Sequence, residues 1–148
     1  MKPTIIEKPF EKRLYGLADA FNGNAWATGG PLMDKVWSDV KSNGRTSTGI
    51  NYWYYDGPRS LFVGVEVLEM GPAPAALDLL DLHLGRYAYL KHVGSYASMR
   101  AAYDDLSRFI QLSCLIRSGA SLEIYGHDKG PGSDPEVEIL IGVRGGRI

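Results

Sequence analysis

The sequence is short of cysteine, of histidine and of net charge, and each shortage removes a class of function. The single cysteine, Cys114, cannot form an internal disulfide, which is typical of a reducing compartment and predicts a cytoplasmic location. With 16 Lys and Arg against 17 Asp and Glu, the formal net charge is -1, so no overall field attracts a polyanion and no direct nucleic-acid partner is expected. The histidines His83, His92 and His127 lack ligand spacing, so neither a metal nor a cofactor is predicted.

Long apolar runs are also missing. No segment approaches the roughly 20 apolar residues that a membrane span requires, and residues 1–8 lack the apolar core of a signal sequence. We therefore expect no membrane association and no processing. The length of 148 residues suits a single domain, 1–148, with its own hydrophobic core.

Aromatic side chains, by contrast, are plentiful. Nine tyrosines and three tryptophans help to make up an aromatic fraction of 11%. Several of them stand beside polar residues in strand-like segments rather than inside continuous apolar runs. Because tyrosine and tryptophan combine a large apolar area with a polar group, this pattern favours a half-wet pocket, with ordinary core packing as the alternative.

Hydrophobic periodicity predicts the order strand, helix, strand, strand, and predicts it twice. The first unit, about residues 12–70, has strands at 14–21, 50–55 and 60–68 and a helix that starts at a cap near Thr28 to Pro31 and ends at 43–44. The second unit, about 77–145, has strands at 85–93, 121–125 and 137–143 and a helix capped by Ser95. A link rich in proline and glycine, 71–74, separates the units. The pattern predicts an α+β fold of duplicated β-α-β-β modules with pseudo-twofold symmetry and a ligand cleft between them.

The acidic residue of greatest interest is Glu123, which stands between Leu122 and Ile124 in a short apolar strand. A carboxylate there is costly unless a positive or hydrogen-bonding group meets it. The alternative is a solvated glutamate on an exposed strand face. A functional Glu123 would bind an organic cation or act as a general acid or base.

Strand parity selects the candidate neighbours of Glu123. Aligning the two hairpins on Asp56 and Asp128 pairs Trp53 with Tyr125 and Asn51 with Glu123. Side chains of alternate residues share a face, so Trp53, Tyr55, Tyr125 and Glu123 are expected in one cleft, with Tyr52 and Tyr54 on the other face. Candidate walls on the helices are Met33, Trp37, Tyr96 and Met99. The alternative is that all these side chains are core.

Three segments carry a family resemblance through their order and spacing: GINYWYYDGP at 49–58, GRYAYLKHVGSY at 85–96 and LEIY at 122–125. Together they resemble the GyrI-like small-molecule-binding family, which also supplies effector domains of multidrug-responsive regulators. The resemblance implies an aromatic groove between two modules, with Glu123 at the position of the family's binding glutamate. It also implies lipophilic or cationic small molecules as ligands.

The resemblance leaves alternatives open. Some family members are hydrolases of cyclopropane-bearing toxins, which would make Glu123 catalytic. Inhibition by docking on a topoisomerase is a third possibility, but the strongly acidic loop that would favour it is not evident in the sequence. No helix-turn-helix fits before Leu14, so a standalone binder or enzyme is expected rather than a transcription factor. His92 is expected to be a structural hydrogen-bonding residue.

Overall fold

The computed structural model describes residues 2–20, 24–57, 60–68, 76–126 and 135–145. The predicted link at 71–74 and most of the turn-rich segment after Tyr125 lie outside the described residues. The strands are Thr4–Ile6 (β1), Phe10–Ala20 (β2), Ser47–Asp56 (β3), Ser60–Val67 (β4), Asp78–Leu84 (β5), Tyr87–Val93 (β6), Leu115–Tyr125 (β7) and Glu136–Gly145 (β8). The helices are Ala25–Ser42 (α1) and Met99–Leu112 (α2), and a 3₁₀ turn, Tyr96–Ser98, precedes α2.

The fold is α+β, as predicted, with one antiparallel sheet of eight strands. The strand order is β1-β6-β8-β7-β3-β4-β2-β5. The unit β2-α1-β3-β4 contributes one half of the sheet, the unit β6-α2-β7-β8 contributes the other, and the halves meet where β3 pairs with β7. Read from either edge, corresponding strands occur in the same order, which suits a duplication. Rotational symmetry between the halves stays a prediction.

Both helices cover the same face of the sheet, one on each half. Helix α1 packs on β2 and β4, and α2 packs on β6 and β7. Their buried side chains, which recur at helical spacing, form one core with the inward residues of the strands. The helix residues in this core are Met33, Val36, Val40, Met99, Ala102, Leu106 and Ile110. The junction of β3 and β7 therefore lies between two helices.

The opposite face of the sheet holds a second apolar cluster built mainly from strands. Leu14, Tyr52, Leu122 and Leu140 are buried there, and Tyr54 packs against them. The alternation along β3 thus sends Tyr52 and Tyr54 away from Trp53 and Tyr55, as strand parity predicts.

The start of each helix differs from the sequence prediction. Helix α1 begins one turn earlier than the predicted cap, because the Asn24 side chain accepts a hydrogen bond from the Ala27 N–H at 3.2 Å. Pro31 consequently lies inside the helix. The Ser95 side chain makes no cap hydrogen bond to the backbone, and α2 begins only after the 3₁₀ turn. The predicted cap of α1 was wrong, whereas Ser95 is the N-cap residue of the 3₁₀ turn but lacks the side-chain hydrogen bond of a cap.

Strand β5 was not predicted. It forms an edge of the sheet by pairing with β2, and a turn at 85–86 separates it from β6. The strand predicted at 85–93 is β6, which begins two residues later, at Tyr87. Leu80, Leu82 and Leu84 face the second apolar cluster and alternate with exposed Asp81 and His83, so the period-two signal was present in the sequence and was missed. Neither described helix is long and apolar enough to cross a membrane.

Candidate functional site

Glu123 lies on the central strand pair, beneath the groove between the helices. The register places it directly opposite Trp53. It is 6% exposed and is the one charged residue among the buried side chains of the described chain. A carboxylate in this position requires compensation, since burial removes the hydration that stabilises its charge.

Three phenols supply that compensation. The hydroxyls of Tyr55 and Tyr125 each donate a hydrogen bond to Glu123 Oε1 at 2.8 Å, and the hydroxyl of Tyr103 donates to Oε2. An ionised carboxylate accepts about four hydrogen bonds, so the three donors leave room for one more on Oε2. Among the described residues, no cation forms an ion pair with Glu123.

The same environment acts on the phenols themselves. Burial raises the pKa of Tyr103, Tyr125 and Tyr55 well above the usual 10.0, and the charge of Glu123 and the hydrogen bonds to it raise these pKa values further. All three therefore stay neutral donors throughout the physiological pH range. The acid is held by dipoles rather than by an opposite charge.

Two cavities adjoin this cluster. The first, here called the acid cavity, has a volume of about 470 Å³ and is lined by Tyr55, Gly57, Tyr103, Arg117, Gly119, Ala120, Ser121, Glu123 and Ile141. The second, the aromatic cavity, has a volume of about 340 Å³ and is lined by Trp26, Gly30, Met33, Asp34, Asn51, Trp53, Tyr96, Tyr125 and Gly126. Tyr125 joins them, because its ring borders the aromatic cavity while its hydroxyl binds Glu123.

The wall of the aromatic cavity is a cluster of four rings. Trp26 lies 4.9 Å from Trp53 and 5.7 Å from Tyr125 between ring centroids, and Tyr96 lies 5.8 Å from Tyr125. These separations are those of favourable tilted and edge-to-face aromatic pairs. Trp26 and Tyr96 are each about half exposed, whereas Trp53 and Tyr125 are buried. The cluster therefore extends from the protein surface to the acid.

Most of the residues singled out in the sequence lie together. Tyr55 and Tyr125 contact Glu123, and Met33, Trp53 and Tyr96 border the aromatic cavity. Strand parity brings the strand residues together, and the helix spacing turns Met33 toward them.

Trp37 and Met99 line neither cavity. The Trp37 Nε1–H donates to Asn51 Oδ1 at 2.8 Å and so holds a residue of the cavity wall. Met99 is buried in the core that α2 forms with the sheet. A direct contact of either residue with a ligand stays a prediction.

Sequence reasoning missed three residues of the site. Tyr103 follows Met99 by four residues and looked like one more apolar position of α2. Trp26 precedes the predicted start of α1 and was not included in its apolar face. Arg117 enters the acid cavity because β7 has an irregular register between Arg117 and Ser121, which no local pattern indicates. The aromatic ring of Tyr103 at helical spacing was the one usable signal.

The other groups considered from the sequence have structural environments. His92 Nε2 lies 3.0 Å from the Ser95 carbonyl oxygen and 3.1 Å from Ser98 Oγ, which ties the end of β6 to the 3₁₀ turn. In the described part of the chain, no group of three or more His, Cys, Asp or Glu side chains is arranged to hold a metal ion.

Several solved structures share this fold at low sequence identity. The C-terminal domain of EcmrR superimposes with a TM-score of 0.72 at 16% identity, covering 97% of this chain and 98% of that one. SAV2435 bound to tetraphenylphosphonium superimposes with a TM-score of 0.65 at 12% identity, covering 98% of this chain and 95% of that one. A hydrolase from Listeria innocua superimposes with a TM-score of 0.62 at 12% identity, covering 97% of this chain and 92% of that one.

The likeness also extends to part of a longer chain. In the EcmrR–DNA complex, our chain matches 58% of the length of the longer chain, with a TM-score of 0.71 and 18% identity. Among the curated proteins, no sequence matches this chain. The sequence does match the family described as the GyrI-like small molecule binding domain, over residues 1–144. This chain therefore belongs to the GyrI-like small-molecule-binding domain family.

Proposed function

We propose that this domain binds bulky, lipophilic, cationic drug-like molecules between its helices, with Glu123 as the acidic group. The observation that carries the proposal is a buried carboxylate, neutralised by no described cation, that borders an open cavity. An organic cation entering the acid cavity would complete the charge balance that the three phenols leave unfinished. The attraction is strengthened where water is excluded.

The surroundings of Glu123 suit such a ligand in shape as well as in charge. The two cavities, about 470 and 340 Å³, fall within the size range of small-molecule sites and offer mainly aromatic and aliphatic walls. The rings of Tyr55 and Tyr103 in the acid cavity, and of Trp53 and Tyr125 in the aromatic cavity, add a cation–π attraction to apolar contact. Met33 adds a flexible side chain that adapts to ligands of different outline. These features favour multidrug binding or sequestration over recognition of one rigid metabolite.

A fold relative supports the ligand class. The SAV2435 structure contains tetraphenylphosphonium, a bulky lipophilic cation. That compound is therefore a suitable first probe for this chain, and tetraphenylborate has nearly the same shape with the opposite charge. Comparing the two ions isolates the contribution of charge from that of apolar burial.

The test is calorimetric titration of both ions into the wild type and Glu123→Gln. Glutamine retains the volume of the side chain and removes its charge, so we expect tetraphenylphosphonium to lose about 1–4 kcal/mol of binding free energy, a roughly tenfold to several-hundredfold weakening. Tetraphenylborate should bind the variant no more weakly than the wild type.

A matched control is Glu138→Gln. Glu138 also accepts a phenol hydrogen bond, from Tyr89 at 2.6 Å, but it points away from the helices, as does its neighbour two residues along β8, Leu140. Its substitution should change the affinity for either ion by less than about 1 kcal/mol. Equal losses for the two ions in Glu123→Gln, or no binding of tetraphenylphosphonium to the wild type, would contradict the proposed role.

A second candidate function is hydrolysis of strained-ring, cyclopropane-bearing compounds by the same glutamate. The observation in its favour is that Oε2 accepts one phenol and retains an acceptor position, which is what a carboxylate needs to take a proton from an attacking water. One relative of this fold is a hydrolase. Mass spectrometry of such compounds after incubation should then show addition of water with wild type and none with Glu123→Gln. Unchanged compound with both proteins would leave binding as the function.

A further inference from the structure

The acid cavity contains a second charge, of the opposite sign, at its outer edge. Among the residues that line this cavity, Glu123 is the one carboxylate and Arg117 the one cation. Glu123 is buried, whereas Arg117 is exposed. In the described part of the chain the two form no ion pair, and Arg117 pairs with no carboxylate. A ligand in this cavity therefore meets a negative charge at the inner end and a positive charge at the mouth.

One hydrogen bond ties the Arg117 guanidinium to the helix above β7. Arg117 Nη2 donates a hydrogen bond to Ser107 Oγ on α2, so the side chain bridges β7 and the helix that covers it. The remaining N–H groups of a guanidinium stay available to a carboxylate or another acceptor. Arg117 is thus placed as a donor beside the cavity.

The irregular register of β7 sets the separation of the two backbone positions. Arg117 lies opposite Val143 and Glu123 lies opposite Ile139, so six steps along β7 correspond to only four along β8. At the ordinary strand rise, four residues span roughly 13 Å. Both side chains point to the helix-covered face. The acid and the guanidinium therefore come from well-separated positions on β7 and line one cavity, where an elongated small molecule can contact both.

Resting on the proposed function, we infer that the acid cavity prefers zwitterionic amphiphiles over simple cations: molecules with a cationic group at one end and a carboxylate or similar acceptor at the other. The cation lies against Glu123 and its phenols, the apolar middle lies against Ile141 and Ala120, and the carboxylate meets Arg117. Because Arg117 is exposed and screened, it shifts the preference without preventing simple cations from binding.

The probe is a long-chain ω-(trimethylammonio)alkanoate able to span the cavity, compared with its methyl ester, both used below the concentration at which they form micelles. The ester keeps the cation and the chain and removes the negative charge. We expect the carboxylate form to bind wild type about twofold to fivefold more tightly than the ester, and the preference to shrink as salt is added.

Variants separate recognition by Arg117 from a merely structural tie. Arg117→Gln should abolish the preference, Arg117→Lys should retain most of it, and Ser107→Ala, which removes the tie but keeps the charge, should retain part of it. Arg100→Gln, which removes an exposed arginine of α2 outside the cavity, is the control and should leave the preference unchanged.

The outcomes distinguish this inference from the proposed function. If tetraphenylphosphonium binds through Glu123 but the carboxylate and ester bind equally, or the ester binds more tightly, the proposed function stands and the zwitterion preference is wrong. A preference that survives in Arg117→Gln also overturns it. If neither probe nor tetraphenylphosphonium binds wild type, both the inference and the proposed function fail.

Discussion

At the scale of single residues, the site depends on hydrogen bonds between a carboxylate and neutral phenols. Each bond satisfies an acceptor that burial would otherwise leave bare, and each phenol needs Glu123 in turn to satisfy its donor. Stability and binding thus involve the same atoms. Removing one phenol hydroxyl from this cluster should lower the free energy of unfolding even in the absence of ligand.

Tyr103→Phe tests this dependence. The ring and its packing remain, and Glu123 Oε2 loses its phenol donor. Hydrogen bonds to charged groups contribute about 1.5–3 kcal/mol, so the free energy of unfolding at neutral pH should fall by about that amount, measured by urea denaturation. Tyr96→Phe, at a residue that is 46% exposed, is the control and should change stability by less than about 0.5 kcal/mol. If Tyr103→Phe and Tyr96→Phe both changed stability by less than about 0.5 kcal/mol, water would be replacing the hydroxyl of Tyr103 as the donor to Glu123.

At the scale of elements, the position of α1 over the sheet depends on a glycine. A Cβ added to Gly29 would lie 2.5 Å from the ring of Trp53, whereas a Cβ on the next residue, Gly30, would meet nothing within 4 Å. The two adjacent glycines of one helix therefore differ in environment. Gly29 allows α1 to lie directly on the wall of the aromatic cavity.

The pair gives a matched prediction. Gly30→Ala should stabilise the protein by about 0.5–1 kcal/mol, because alanine is the better helix former. Gly29→Ala has the same intrinsic advantage but must displace α1 or Trp53, so it should destabilise the protein by about 1–3 kcal/mol. Thermal unfolding measures both changes, and tryptophan fluorescence should shift only in Gly29→Ala. Stabilisation by both substitutions would show that α1 moves at little cost.

The elements also show how far local sequence reasoning extends. The alternation of side chains along β3 follows from a period of two, so it correctly sends Trp53 and Tyr55 toward the helices and Tyr52 away. The presence of Arg117 in the same cavity as Glu123 depends instead on an irregular register with β8, which is a long-range pairing. The predicted start of α1 was about one turn too late, because Pro31 looked like a first-turn residue, whereas the helix is capped by Asn24.

At the scale of the whole molecule, the prediction that the chain repeats a β-α-β-β unit accounts for the position of the site. The strand order brings the equivalent second strands, β3 and β7, side by side at the centre of the sheet. Residues that are 70 positions apart, such as Trp53 and Glu123, become direct neighbours there. The order of elements within each β-α-β-β unit could be predicted because these strands and helices each have their own period, whereas β1 and β5 were missed. The hydrogen bond from Tyr103 to Glu123 could not, because it needs the actual height of α2 above β7.

The three phenols around Glu123 should also make the free energy of unfolding of the whole molecule fall at alkaline pH. Their pKa values are raised above the ordinary 10.0 in the folded protein and return to it on unfolding. Below pH 10 the phenols are protonated in both states, so their contribution is fully present. As the pH rises above 10, the unfolded chain releases these protons first, and the free energy of unfolding must fall. Each phenol that stays protonated only in the folded state adds about 1.4 kcal/mol per pH unit to this decline.

Tyr125→Phe isolates one of these contributions while keeping the ring that packs against Trp53 and Trp26. Between pH 10 and 11.5 its free energy of unfolding, from urea denaturation at each pH, should fall less steeply than that of wild type, by up to about 1.4 kcal/mol per pH unit. Other tyrosines, including Tyr52, whose pKa burial raises to about 12, and the lysines titrate in both proteins and cancel in the difference. Parallel curves for Tyr125→Phe and wild type would mean that the Tyr125 phenol ionises at the same pH in the folded and unfolded chains, and the description of Glu123 as an acid held by buried neutral phenols would then be wrong.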